Sequence, residues 1–286
     1  MGEALKANTT LRILSLSFVD WGTAGVWQLA EALKANCSLV RVTLATQTTL
    51  SSYDQQLLLE ALQVNSSIKM VQLLKMVSTA GASHLGELLR RSATITALCL
   101  ADLDLDLAAA EHLASALKVN RTLSRLTLDN AGLCPFGAKA IFGALKTNGS
   151  ITAATLSDNG IGTDGAAHVA KVLRTNRALT SLNLPSNKIG SAGGGLLMEA
   201  LRFNRHLTKL DLALNEIEEC DLTLIPSHLE KSKNPPLVLT ARVKRAADES
   251  AVHMHFRKMS AEIAFDTEGQ EALTPNLTCC FCRPLP

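Results

Sequence analysis

Aromatic residues are scarce in this sequence: Phe, Trp and Tyr together make up 3% of its 286 residues, with two Trp and one Tyr. This content leaves few side chains for the aromatic-lined pockets in which many enzymes hold a cofactor. Long apolar runs are also missing, since no stretch approaches the roughly 18 apolar residues of a membrane-spanning helix. The first residues, Met-Gly-Glu-Ala, do not open a secretory signal peptide.

Charge of one sign is missing as well. The chain has 28 Lys and Arg against 26 Asp and Glu, which gives a formal net charge of +2. This balance disfavours a strongly basic nucleic-acid or membrane-surface protein as the default interpretation. Hydrophobic residues make up 47% of the chain and charged residues 19%, which is the usage of a folded globular protein.

A repeat runs through most of the chain. The string Glu3–Asn8 returns unchanged as Glu31–Asn36, and variants of it follow at spacings of 27 to 29 residues. We call its last residue the landmark of each unit, and the landmarks are Asn8, Asn36, Asn65, Ser92, Asn120, Asn148, Asn176 and Asn204. The residue eight positions after every landmark is Leu, which indicates one structural unit copied eight times.

Each unit has two halves with different periodicities. Residues 179–184 place apolar side chains at alternate positions near their end, which is typical of a short strand. Residues 193–202 place Leu197 and Leu201 on one face of a helix. Such a unit cannot bury its apolar side alone, so neighbouring units must stack, at roughly 1.5–3 kcal/mol for each enclosed Leu or Ile. Because helices are wider than strands, the stack is predicted to curve.

The motif of these units is similar to that of a known family. Residues 179–187 read Leu-x-x-Leu-x-Leu-x-x-Asn, and residues 161–166 read Ile-Gly-x-x-Gly-Ala. With the 28-residue period, this resembles the ribonuclease-inhibitor type of leucine-rich repeat. The resemblance covers about residues 2–232 and implies an α/β solenoid, a horseshoe of about eight repeats with a parallel inner sheet and outer helices. Similar arrays form ribonuclease inhibitor, the sensor ends of NOD-like receptors and Ran GTPase-activating proteins.

Three regions follow from this pattern. Residues 1–232 form the repeat array, which starts inside a helix end without an N-terminal cap, so we expect a fragment of a longer array or a partner over the first edge. Residues 233–265 are predicted to form a C-terminal cap, with a short strand at 237–239 and a helix over 246–265. Residues 266–286 are expected to form a disordered tail that contains cysteines.

The units are not equally regular. Eleven residues after the landmark the family places an Asn that bonds backbone groups of the turn, and Asn159, Asn187 and Asn215 follow this rule. The earlier equivalents are Val19, Gln47, Met76, Leu103 and Ala131. We therefore expect a regular C-terminal half and a looser N-terminal half.

No motif supports catalysis or a cofactor. Residues 160–165 match the dinucleotide-binding pattern G-x-G-x-x-G, but their glycines are repeat positions, and no acidic residue stands near 185 to hold a ribose. The histidines form no Ser-His-Asp grouping. We therefore expect a protein that is not an enzyme and takes no cofactor or metal.

The seven cysteines show no regular spacing, which favours reduced thiols and a cytoplasmic location. Cys99 lies between two strand leucines and is expected to be a small exposed residue of the concave face rather than a nucleophile. Cys279, Cys280 and Cys282 form a cluster at the tail with three open interpretations: incidental thiols, palmitoylation, or a partial metal site with His253 and His255.

The concave face is the candidate binding surface, because strand residues beside the inward leucines point to it. The polar set is densest in the C-terminal half, and the candidate protein-binding residues are Arg125, Asp129, Thr155, Asp158, Asn183, Lys209 and Asp211. The face has no Lys/Arg stripe, which disfavours a nucleic-acid partner. We predict a scaffold that binds another protein; the alternatives are a GTPase-activating regulator similar to the Ran activators and the sensor end of a NOD-like receptor.

Overall fold

Helices and strands alternate along the chain in a computed structural model, which describes residues 2–17, 21–47, 50–217, 237–245, 248–256 and 264–266. The helices are α1 (Gly2–Ala7), α2 (Gly22–Ala35), α3 (Ser52–Val64), α4 (Ala82–Arg91), α5 (Leu107–Val119), α6 (Cys134–Leu145), α7 (Gly162–Leu173) and α8 (Gly190–Leu201). The strands are β1 (Ile13–Leu16), β2 (Arg41–Ala45), β3 (Met70–Leu74), β4 (Ala97–Ala101), β5 (Arg125–Asp129), β6 (Ala153–Thr155), β7 (Ser181–Asn183), β8 (Lys209–Asp211), β9 (Val238–Arg245), β10 (Asp248–Phe256) and β11 (Ala264–Asp266). A short 3₁₀ helix, Thr79–Gly81, precedes α4.

All strands join one sheet in sequence order. Strands β1 to β9 pair in parallel, and each residue lies beside its equivalent in the next unit, as Arg125 does beside Ala153. The helices pack against one another in the same order, α1 to α8. The predicted α/β solenoid with a parallel sheet on one side and helices on the other is confirmed.

The core lies between the sheet and the helices. The Leu eight residues after the landmark is 0–2% exposed in every unit from the second, Leu44, to the eighth, Leu212. The Ile of the following turn is equally buried in the regular units, at Ile161, Ile189 and Ile217. Period-two burial in the strands and 3.6-period burial in the helices therefore meet in one continuous apolar layer.

The landmark asparagine joins consecutive units. The side-chain Nδ2 of Asn148 donates to the carbonyl oxygens of Leu117 and Asn120 in the preceding unit, at 2.7 and 3.0 Å. Its Oδ1 accepts from the backbone N–H groups of Ser150 and Ile151, both at 2.9 Å. One buried amide therefore satisfies a free carbonyl at the end of one helix and fixes the turn that starts the next strand.

The same bridge recurs along the array. The landmark asparagines that donate Nδ2 to the equivalent Leu carbonyl are Asn36, Asn65, Asn120, Asn148, Asn176 and Asn204. Ser92 is the exception. Its Oγ accepts from the N–H groups of Thr94 and Ile95, at 3.4 and 3.2 Å, and its hydroxyl is too short to span to the unit before. In the unit before Ser92, the carbonyl that a landmark asparagine would bind is that of Leu62, which corresponds to Leu117.

We expect Ser92→Asn to stabilise the protein and Asn148→Ser to destabilise it. The first change adds a donor for the Leu62 carbonyl, worth about 1 kcal/mol, and the second removes that donor at a buried site, costing about 1–3 kcal/mol. Thermal unfolding followed by circular dichroism measures both shifts. A fall in melting temperature for Ser92→Asn would show that the 27-residue unit around this landmark has no room for the bridge.

A second asparagine series holds the turns of the C-terminal half. Asn187 Oδ1 accepts from the N–H of Asn159 at 3.0 Å, and its Nδ2 donates to the carbonyl of Leu156 at 2.7 Å. Upstream, the equivalent positions Met76, Leu103 and Ala131 are buried apolar residues. In that part of the chain Gln55 binds turn backbone instead. Its Nε2 donates to the Leu50 carbonyl, and its Oε1 accepts from the N–H of Ser78.

Hydrogen exchange tests the predicted difference between the halves. We expect slower exchange for the turn amides held by asparagine oxygens, those of Asn159 and Asn187, than for the turn amide of Gly81. The reason is that the former are bound to the next unit of the stack, whereas the Gly81 amide is bound to Ser78 within its own turn. Equal protection in native-state exchange measured by NMR would show that Gln55 and the apolar turn residues compensate fully.

The C-terminal segment differs from its prediction. The strand expected at 237–239 is present as the start of β9, but the helix expected over 246–265 is wrong for the described residues of that range. They form β10, antiparallel to β9, and β11, antiparallel to β10. The sequence fits both structures, because Val252, Met254 and Phe256 alternate with period two while Val252, Phe256 and Met259 have helical spacing. The boundary at 232 stays a prediction, and residues 267–286, with Cys279, Cys280 and Cys282, lie outside the described residues.

Candidate protein-binding face

The concave face is the side of the sheet opposite the helices, and its side chains form rows that cross the strands. In the first row, Arg125, Ala153, Ser181 and Lys209 lie side by side on β5 to β8. Two cations thus stand three strand spacings apart, about 14 Å, with two small residues between them. Arg125 is exposed and Lys209 is half-buried.

The second row lies two residues further along the same strands. It contains Thr127, Thr155, Asn183 and Asp211, paired in register. Asn183 Nδ2 donates to Thr155 Oγ1 at 3.4 Å, and the Asn183 Oδ1 is buried without a hydrogen-bond partner among the described residues. Asp211 Oδ1 accepts from the N–H of Ala213 at 3.0 Å, which fixes this carboxylate beside Asn183.

These two rows form a polar patch with short side chains between longer ones, which we call the trough. Its floor is Ala153, Thr155, Ser181 and Asn183, and its ends are Arg125 and Lys209. The structure therefore brings together five of the predicted site residues: Arg125, Thr155, Asn183, Lys209 and Asp211. Ala153 and Ser181 were not among the predicted site residues, although their register between two cations was available from the repeat.

Asp129 and Asp158 lie outside the trough. Asp129 ends β5, and its Oδ1 accepts from the N–H of Ser157 at 2.9 Å, so this carboxylate holds the adjacent unit. Burial raises the pKa of Asp129, the Ser157 hydrogen bonds oppose that rise, and the negative charge of Asp102 adds to it. Asp158 is exposed in the following turn with φ 53°, in the left-handed region that Asp tolerates better than most residues.

We expect Asp129→Asn to stabilise the protein more at pH 7 than at pH 4. A carboxyl whose pKa is raised by folding binds more protons in the native state than in the unfolded chain. Its contribution to stability therefore declines as the pH rises from the pKa of this carboxyl in the unfolded chain to its raised pKa in the native state. Asn keeps the oxygen that accepts from Ser157 and removes the ionisation.

Melting temperatures of wild type and Asp129→Asn at both pH values measure this difference, with the exposed Asp158→Asn as the control. A variant that melts below wild type at pH 7 would show that the ionised carboxylate is stabilising.

One other expectation has a structural outcome. Cys99 was expected to be exposed, and this is wrong: it is 9% exposed, because it lies on the inner strand β4 between Gln72 and Thr127. Of the two tryptophans, Trp27 is 53% exposed on α2 and Trp21 is half-buried against the core.

The glycines of the G-x-G-x-x-G match have structural roles. Gly162 has φ 65° and its equivalent Gly190 has φ 67°, which L side chains rarely adopt. A Cβ on Gly165 would collide with the side chain of Ile161. Within the described residues, no three His, Cys, Asp or Glu side chains are grouped so as to hold a metal ion. The helices in the same part of the chain are too short or too polar to cross a bilayer.

Comparisons with known proteins agree with this architecture. A leucine-rich-repeat family model matches residues 175–198 and 203–218. The leucine-rich repeat-containing protein LegL7 from Legionella pneumophila is 18% identical, with a TM-score of 0.52 over 80% of this chain and 75% of that chain. Actin-binding site 2 of leiomodin-1 is 24% identical, with a TM-score of 0.42 over 44% of this chain and 75% of that chain. No curated protein sequence matches. The chain therefore has the fold of a leucine-rich-repeat solenoid.

Proposed function

We propose that this protein is a non-enzymatic scaffold that binds another protein in the trough of its concave face. The observation that carries the proposal is the in-register row Arg125, Ala153, Ser181, Lys209. Its small central residues leave room for a partner side chain between two cations. The sheet that holds the row is continuous and parallel, so binding orders few groups of the scaffold itself.

The chemistry of the trough indicates what a partner must present. The cations at its ends favour an acidic side chain or a chain segment with negative charge. The Asn183 Oδ1 has no hydrogen-bond partner among the described residues, so a hydrogen-bond donor on the partner is favoured next to it. Asp211 adds a negative charge at one side, which disfavours a uniformly acidic ligand and selects a mixed polar one.

The repeat type and the location are part of the same proposal. A unit of about 28 residues with a helix of 10 to 14 residues on the outer side supports the ribonuclease-inhibitor type, because other leucine-rich repeats are shorter. Cys37 and Cys134 form no disulfide with another described residue, which supports a cytoplasmic location. A GTPase activator and the sensor end of a NOD-like receptor stay hypotheses that the identity of the partner would distinguish.

We expect Arg125→Glu combined with Lys209→Glu to abolish partner capture with little change in melting temperature. Both side chains lie on the sheet surface, and neither residue belongs to the core, so the substitutions leave the packing of the core unchanged. Affinity purification from cell extract followed by mass spectrometry identifies the partner of the wild type, and pull-down of that partner compares the variants. Lys171→Glu, a charge reversal on helix α7, is the matched control and should retain capture.

A second variant tests the floor without changing charge. Ala153→Gln combined with Ser181→Gln fills the trough between the two cations and should reduce capture as strongly as the double charge reversal. If the floor variant captures the partner normally while the control Lys171→Glu loses it, the binding surface lies on the helices and the trough hypothesis is wrong.

A further inference from the structure

The near-zero net charge of the chain conceals a face of one sign. In each unit, we define a window of eight residues that runs from two residues before the landmark to five residues after it. These eight windows contain no Asp or Glu and hold 16 of the 28 Lys and Arg residues of the chain. We call this set the basic rim: Lys6, Arg12, Lys34, Arg41, Lys69, Arg90, Arg91, Lys118, Arg121, Arg125, Lys146, Arg174, Arg177, Arg202, Arg205 and Lys209.

The fold collects these windows at one side of the molecule. Every window contains a helix end, the landmark turn and the start of a strand. Because strands β1 to β8 are parallel and in register, their first residues align along one edge of the sheet, and the helix ends align beside them. All the side chains of the basic rim except Lys6 and Lys209 are exposed.

The opposite edge has the reverse charge. The acidic residues that lie at the strand ends, in the following turns or in the first turns of the helices are Asp54, Asp102, Asp104, Asp106, Asp129, Asp158, Asp164, Asp211 and Glu216. Lys75 and Lys188 are the Lys and Arg residues in the described part of that edge. The molecule therefore has a charge separation across its width that the total of +2 does not reveal.

Helix stabilisation explains only half of the basic rim. A cation in the last turn of a helix interacts favourably with the helix dipole, and eight of the sixteen lie in a last turn or its cap, such as Lys118 and Lys146. The other eight follow the landmark or begin a strand, as Arg121, Arg177 and Lys69 do. Among the described residues, Lys6, Lys34, Arg90, Arg91 and Arg174 form ion pairs with Glu3, Glu31, Glu87 and Glu199.

The basic rim also presents exposed apolar side chains. Val64, Val119 and Phe203 occupy the same position of their units, immediately before the landmark, and are 58–60% exposed. The Arg174 guanidinium lies 5.2 Å from the centre of the Phe203 ring. Cations that alternate with exposed apolar groups are typical of surfaces that rest at a membrane interface.

The rim is a strip rather than a line. Strands that pair in parallel and in register start at one level, so the cations lie along one edge of the sheet beside the helix ends. Eight strands at about 4.8 Å spacing make it about 34 Å long, and the layer of helix ends adds about 10 Å in width. A broad flat strip contacts a bilayer over its full area, whereas a nucleic-acid duplex meets it along a line.

We propose that the basic rim is a docking surface for a lipid bilayer rich in anionic headgroups, with Val64, Val119 and Phe203 reaching the headgroup region. In this orientation the concave face stands perpendicular to the bilayer. The first row of the trough lies nearest to the lipid, since its ends Arg125 and Lys209 belong to the basic rim. The anionic cytoplasmic leaflet supplies such a surface, and each cation near it strengthens binding by about fivefold.

The test is sedimentation of the full chain with vesicles of phosphatidylcholine alone or mixed with phosphatidylserine. We expect binding to the mixed vesicles only, and its loss at high salt. The rim variant Lys118→Gln, Lys146→Gln, Arg177→Gln should bind about a hundredfold more weakly. The matched control Lys75→Gln, Lys139→Gln, Lys188→Gln removes the same charge away from the rim and should bind like wild type.

Two further comparisons decide the occupant. Val64→Ser with Val119→Ser should weaken binding to the mixed vesicles and leave binding to duplex DNA unchanged. The proposal is overturned if mixed vesicles do not bind, if the control loses as much as the rim variant, or if DNA displaces the protein from vesicles at equal phosphate concentration. The trough variant Ala153→Gln, Ser181→Gln should bind vesicles normally, so failure of the protein-binding proposal is read separately.

Discussion

The buried landmark amide is the interaction on which the array depends. Units of 27 to 29 residues can stack only if the polar backbone at every helix end is satisfied, because that backbone is enclosed by the next unit. An asparagine side chain has a donor and an acceptor about 2.3 Å apart, so Asn148 serves the preceding helix and its own turn at once. The parallel register, the aligned concave rows and the aligned rim all follow from repeating this bridge.

Most of the fold could be predicted because the apolar residues recur with one period in the strands, another in the helices, and a third from unit to unit. The strand and helix halves, the inward leucines such as Leu184 and the turn residue Ile189 were predictable from spacing alone and are confirmed. Beyond the last unit the prediction of a helix was wrong, because residues 252–256 fit two periods equally and only their pairing with β9 decides between them. Burial of Cys99 was also unpredictable, since it depends on the length of the side chains on neighbouring strands.

The site was predictable only in part, for a related reason. Sequence spacing identified which residues face the concave side. It did not show that Arg125 and Lys209 lie on either side of two small residues, or that the Asp129 carboxylate already accepts a hydrogen bond from the N–H of Ser157. Composition was misleading about the surface as a whole. A net charge of +2 says nothing about where 28 cations and 26 anions lie, and the parallel topology places 16 of those cations in windows at one edge that hold no Asp or Glu. Function in such a scaffold therefore depends on the direction in which each repeat position points.

The landmark amide also has a consequence for covalent modification. Asn36, Asn65, Asn120 and Asn148 are each followed two residues later by Ser or Thr, which is the acceptor sequence for N-linked glycans. In the folded array these four side chains are buried, and each Nδ2, the atom to which a sugar would be attached, is hydrogen-bonded to the preceding unit. A sugar at any of them would separate two units of the stack. The folded protein and the glycosylated chain are thus mutually exclusive at these positions, and within residues 1–232 a sequence scan for glycosylation sites finds only landmark asparagines.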